Sequence, residues 1–207
     1  MLLEILGWCL AVGAVAGSVI QLLKLRHDVA GVSIVTYTAW GWSWLCWAVI
    51  SIHEGYWSKA VTELSGALVE GAVVVALVLV AVKLRKNWWK GIAVGSLMLV
   101  GAVLSFLSFG VTGALIFLTI AEAAAIGPQV WDATKPDRGG ISTSAWVVSA
   151  VMASGWVLYG YLNSNLLPVG WAVVFAPAAA FIAWRAHTYK PAEVADDTVS
   201  AKEPVNA

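Results

Sequence analysis

Seven largely apolar stretches, near residues 2–23, 34–52, 57–82, 91–109, 111–131, 142–161 and 166–185, leave this chain few ways to fold. A helix needs roughly 20 apolar residues to cross the hydrocarbon core of a bilayer, and each stretch approaches that length. None alternates apolar with polar residues as a barrel strand does. The expected spanning element is therefore the helix, which satisfies its own backbone hydrogen bonds. Composition agrees, with 60% of residues hydrophobic and only 12% charged, about half the charged fraction of a soluble domain. Thirteen tryptophans suit a chain with many membrane interfaces, where indoles collect. The expected fold is an all-α membrane protein with seven transmembrane helices.

Charge placement orients it. The loops after helices one, three and five, with the C-terminal segment, hold Lys24, Arg26, Lys83, Arg85, Lys86, Lys90, Lys135, Arg138, Arg185, Lys190 and Lys202, and the opposite side holds only Lys59. Positive residues accumulate on the cytoplasmic side, which predicts an N-terminus outside and a C-terminus in the cytoplasm. The opening residues, MLLE, carry an acid and lack the basic start of a cleaved signal peptide, so helix one is expected to be retained. Residues 188–207 are polar and contain proline, and read as a disordered tail. The charge bias and the absence of a targeting segment suit an integral protein of a bacterial plasma membrane. Net charge is zero, so no attraction to nucleic acid is implied. Cys9 and Cys46 fall inside helices and read as packing residues rather than a redox pair.

The chain also repeats itself. Ser18–Ile52 aligns with Ile126–Tyr161: Gln21 matches Gln129, Gly31-Val32-Ser33 matches Gly140-Ile141-Ser142, and Trp47 matches Trp156. Each match occupies the same place in a helix, short basic loop, helix unit. The units begin four spans apart and so share one orientation. Two parallel three-helix bundles joined by a linker helix (3+1+3) are expected, with the repeats at 1–82 and 111–186, the linker helix at 83–110 and the tail at 187–207. Proteins built from such repeats place their substrate site near the midplane, between the repeats.

The run Gly127-Pro128-Gln129-Val130, a short basic loop, Gly140-Ile141-Ser142 and a helix ending GWVLYGY resemble the PQ-loop superfamily. That superfamily includes the SWEET sugar transporters, lysosomal exporters of cystine and cationic amino acids, and the KDEL receptors. The resemblance covers roughly residues 10–185. It implies a seven-helix, N-out transporter fold in which the Pro-Gln motif serves as hinge and gate. The second repeat carries the whole motif as Pro128-Gln129, whereas the first keeps Gln21 and has Ile20 in place of the proline. Sugar recognition in SWEET proteins is associated with asparagines on helices three and seven. Helix three here has none and carries Glu63 and Glu70 instead, a departure that turns the expectation toward a proton-linked or cationic solute.

Read without the family, the same residues point to a polar path through the membrane. Glu70 and Glu122 fall near the centres of helices three and five, and Glu63 lies two turns from Glu70 on about the same face. An intramembrane acid costs at least a few kcal/mol to bury, and normally faces a cavity or an ion or substrate path. The bland alternative is a neutral acid, hydrogen-bonded to hydroxyl or indole donors, that only specifies packing. Pro128 removes a backbone donor and bends its helix, as a hinge or as a static kink, with the Gln129 amide free to satisfy an exposed carbonyl. Helix two carries Trp40, Trp42, Trp44 and Trp47. Indoles stack on sugars or cations, yet most serve packing or the interface. Trp47 and Trp156 stand out as repeat-matched.

No basic residue lies at the depth of the acids, which favours a proton, a cation or a neutral ligand over an anion. His27, His53 and His187 form no cluster with Cys or acids. No metal-ligand spacing, nucleophile–base pair or phosphate loop occurs, so no enzyme, metal or cofactor is expected. A retinal protein needs a lysine in its last helix, and Leu166–Trp184 has none. The expected function is alternating-access transport of a small polar solute such as a sugar, amino acid or cationic metabolite, with proton coupling where the acids carry it. The alternative is a non-transporting receptor or accessory membrane protein. Expected partners are the solute and the lipid bilayer, and a homo-oligomer is compatible with the sequence.

Overall fold

The computed structural model describes residues 2–55, 57–164 and 166–190, without the side chains of 2–4, 58 and 166–168. The expected tail lies almost wholly outside these residues. Among them the chain is all-helical, with no strand: α1 (Leu2–Lys24), α2 (Ile34–His53), α3 (Trp57–Lys83), α4 (Trp89–Ala125), α5 (Gly127–Thr134), α6 (Thr143–Leu162) and α7 (Leu166–His187). Among the described residues, five stretches are long and apolar enough to cross a membrane: Ile5–Lys24, Lys59–Lys83, Trp89–Thr134, Thr143–Leu162 and Val169–His187. The α2 helix falls short on hydropathy because its tryptophans, serines, threonines and histidine dilute its aliphatic residues. Leu68, Leu107 and Phe109 are more than 70% exposed. Apolar side chains on that scale suit contact with lipid and would be a liability in water. These features are compatible with an integral membrane protein.

The matched loops start their helices in the same way. Ser33 caps α2 at φ −86°, ψ 114°, its hydroxyl accepting from Thr36 N. Ser142 caps α6 at φ −84°, ψ 113°, its hydroxyl accepting from Ala145 N. A serine oxygen satisfies one of the helix's otherwise unpaired N–H groups, and here the sequence match extends to backbone geometry within two degrees.

The α4 helix is not one straight rod. Gly110 sits at φ 66°, ψ −159°, a conformation open essentially to glycine alone. Straight, 37 residues would reach about 55 Å. Instead the chain turns back. The Phe117 ring lies against Gly101, and Met98, Ala102 and Leu118 share one buried cluster with Ala39 of α2.

Helix neighbours follow a pattern. Among the described residues the α3 helix packs against α1 and α2, and α7 packs against α6 and against α4 and α5. The contact of Gly170 with Thr119 puts the part of α4 after Gly110 against α7. Across the molecule, α1 packs on α6 and α2 packs on α4. Small residues permit the first approach: Gly13 meets Met152, Gly17 meets Ser149, and Gly155 meets Leu10.

Candidate functional site

The residues that the repeat brings into register meet at the end of the bundle formed by the 25–33 and 135–142 loops. Gln21, at the end of α1, donates from Nε2 to Gly140 O at 2.8 Å, and its Oε1 accepts from Ser142 N at 2.9 Å. Gln129, in α5, donates from Nε2 to Gly31 O at 2.8 Å, and its Oε1 accepts from Ser33 N at 2.8 Å. Each glutamine thus grips the helix cap of the other repeat, through both its donor and its acceptor. Both are buried, at 1% and 0% exposure. A side-chain amide is the group that can satisfy a carbonyl and an N–H at once. A carboxylate lacks the donor, and an aliphatic residue would strand both buried backbone groups.

Two glycines let the loops come that close. A Cβ on Gly140 would lie 2.6 Å from the Val29 carbonyl carbon and 2.7 Å from Asp28 O, and one on Gly31 would lie 2.7 Å from Arg138 Cα. Gly140 N also donates to Ala30 O at 3.0 Å. Arg138 and Arg185 hold the second loop and its flanks from outside, donating to the carbonyls of Arg185 and of Ala133 and Thr134 respectively.

Pro128 interrupts the helix of the second repeat, where Ile126 keeps helical angles (φ −73°, ψ −22°) between α4 and α5. The proline stands in the first turn of the short α5, after the helix ends at Ala125, where a missing N–H costs least. The Ala124 carbonyl, which Pro128 cannot serve, accepts instead from Ile126 N. A Cβ on the adjacent Gly127 would meet nothing within 4 Å.

Inward of the glutamines the centre is filled by aromatic rings. Trp40 of α2 lies 5.9 Å from Trp146 of α6 and 5.3 Å from Phe175 of α7, centroid to centroid. Tyr37 meets the Trp40 ring edge-on at 5.6 Å. These spacings are those of favourable aromatic pairs. Trp40 therefore joins residues of both repeats, whereas sequence reasoning singled out the repeat-matched Trp47 and Trp156 as candidates for ligand contact.

The acids occupy two separate settings. Glu70 is 2% exposed at the middle of α3, where Oε1 accepts from the Ser18 hydroxyl at 2.6 Å and Oε2 is buried without a partner. Gly41 of α2 faces its Cβ. Glu122, half-buried, accepts from the Trp47 indole N–H at 2.7 Å and from the Ser43 hydroxyl, both on α2. Glu63, 5% exposed, has Lys59 Nζ 3.6 Å from Oε1, and the same ammonium lies 5.3 Å from the Trp47 ring centroid. Trp47 and Lys59 thus link Glu122 to Glu63, while Glu70 shares none of these partners.

Trp156 packs edge-on against Tyr159 at 5.2 Å, within its own helix. The remaining helix-two tryptophans each serve a different neighbour: Trp42 donates to Ser96 Oγ at 2.9 Å, and Trp44 lies on Gly66 of α3. Sequence reasoning missed Ser18, Ser43 and Lys59 as partners of the acids. Hydroxyls in apolar helices carry no signal of their own, and Lys59 counted only as the odd charge on its side.

Two surface hollows lie apart from Glu63, Glu70 and Glu122. A groove of about 950 Å³ opens beside Lys24, Asp28, Ser142, Ser144 and Tyr189, and a hollow of about 420 Å³ lies along α6 and α7 near Pro177. Among the described residues no group of His, Cys, Asp and Glu could hold a metal ion. Comparison with protein-family models, with curated proteins and with solved structures finds no match.

Proposed function

We propose that this chain is a seven-span, 3+1+3 membrane transporter of the PQ-loop type, moving a small polar solute by alternating access. The observation that carries the reading is the exchanged pair of glutamine grips, in which Gln21 and Gln129 each close the other repeat's helix cap. Alternating access needs a seal at one face that both halves make jointly and can release, with a polar site inward of it. The grips are such a seal, on the face that the basic loops assign to the cytoplasm. Glu70 and Glu122 lie inward of it, Glu70 with a carboxyl oxygen that no protein group engages. In this reading the state is closed to the cytoplasm, Pro128 and Gly127 form the hinge of the second half, and the acids bind solute or a coupling proton.

The decisive experiment is flux into liposomes of purified protein, for a panel of sugars, amino acids and amines, with and without a pH gradient. Transport by the unaltered chain, lost or uncoupled from the gradient in Glu70→Gln or Glu122→Gln, supports the reading. Full activity with unchanged pH dependence in both variants removes the acids from the mechanism.

A second reading, a non-transporting receptor or accessory protein, draws on a different observation. Trp40, Trp146 and Phe175 fill the space between the repeats, and the large groove opens beside the loops rather than at the midplane. Absence of flux for every solute in the panel, together with a protected centre in solvent-accessibility labelling under all conditions, favours this reading.

A further inference from the structure

The ammonium of Lys59 lies between a carboxylate and an aromatic face. Lys59 stands two residues into α3, and its Nζ lies 3.6 Å from Oε1 of Glu63, one turn on, and 5.3 Å from the Trp47 ring centroid. The pair is weakly held. Lys59 remains 55% exposed while Glu63 is 6% exposed, and a lysine placed four residues before its glutamate is the less favourable order. The setting exceeds what the pair needs. Trp47 presents its ring to the ammonium while its N–H is committed to Glu122. The second Glu63 oxygen and the hydroxyl of Ser51, one turn beyond Trp47 on the same face of α2, are both buried without a hydrogen-bond partner. An aromatic face, two carboxylates and an unengaged hydroxyl are the elements that bind an organic ammonium.

We propose that Trp47, Glu63, Glu122 and Ser51 form a binding site for a small alkylammonium group, with Lys59 as its tethered occupant, displaced when the free ligand enters. Trp47 and Ser51 stand in the last two turns of α2 and Lys59 and Glu63 in the first two of α3, so the site lies toward the α2–α3 connection. As the entry point for a substrate it rests on the transport reading, whose solute would then be an amine. As a binding site it stands without that reading.

The test is calorimetric titration of the full chain in lipid nanodiscs with ethylammonium and with tetramethylammonium, using glucose and acetate as controls. Saturable binding of the cations alone is expected. Lys59→Met, which keeps the stem and removes the competing charge, should tighten binding about fivefold, the factor for a half-exposed ion pair near 1 kcal/mol. Glu63→Gln and Trp47→Phe should each weaken it at least as much. Circular dichroism and thermal melting identify any variant that fails to fold, and Lys59→Met, altering an exposed side chain, keeps the test available if the others do. Unchanged or weaker affinity in Lys59→Met, equal binding of glucose, or no cation binding overturns the proposal. Flux of glucose without ammonium binding would overturn it and leave transport standing, whereas binding without flux of any solute would do the reverse.

Discussion

Replacing Gln21 with alanine tests whether the exchanged grips act as one lock. The substitution strands Gly140 O and Ser142 N, both buried where the amide now meets them at 2.8 and 2.9 Å. A buried polar group left without its partner costs about 1–3 kcal/mol, so the two together cost about 2–6 kcal/mol, less whatever entering water recovers. Gln129→Ala strands Gly31 O and Ser33 N and carries a similar cost. If the two grips hold one closed face, the first substitution already loosens what the second would break. The double variant should then lose less than the two costs added, by more than about 0.5 kcal/mol, the scatter expected of independent sites. Thermal unfolding in detergent measures the costs. Labelling of a cysteine placed at Val32, in a chain with Cys9 and Cys46 replaced by alanine, should quicken in both single variants as the face opens. Single variants within about 0.5 kcal/mol of the parent, or fully additive costs with unchanged labelling, would refute the lock.

Two further outcomes follow from the geometry. At Gly110, φ 66° and ψ −159° admit no ordinary L side chain although space is open there, so Gly110→Ala should lower stability by about 1–3 kcal/mol from backbone strain alone. Gly71→Ala, in a helix interior with nothing near its added methyl, should instead gain about 0.5–1 kcal/mol. Paired melting curves check both, and equal effects would show that strain at the turn is absent. Ser18→Ala removes the one described hydrogen bond to the buried Glu70 and should cost about 1–3 kcal/mol. Ser18→Thr, which keeps the hydroxyl, should recover much of it, and a neutral Ser18→Ala would mean that Glu70 already has another partner.

What could be read from the chain alone divides along a physical line. Matched residues on matched helices could be found because a repeat copies both residue and setting. Gln21 with Gln129, and Gly31 and Ser33 with Gly140 and Ser142, were visible as pairs. Their crossing was not visible, because alignment shows which residues are equivalent but not which touch. The turn at Gly110 was legible as a gap between apolar runs at 109 and 111, where glycine alone permits the required φ. The tryptophans resisted reading for the opposite reason. Trp40, Trp44 and Trp47 share a helical face in sequence, yet Trp40 reaches α6 and α7, Trp44 lies on α3, and Trp47 bonds to α4. A face of one helix meets several neighbours along its length, and only the assembled bundle decides which. The crossing of the glutamines has a consequence that neither repeat has alone. Because Gln21 holds the α6 cap and Gln129 holds the α2 cap, the four bonds belong to the contact between the repeats. A motion that separates α1 from α6 while leaving α2 on α4 breaks two of the four bonds and keeps the others. A rigid rocking of one repeat on the other breaks all four together, and that joint release is what the proposed alternating-access reading calls for.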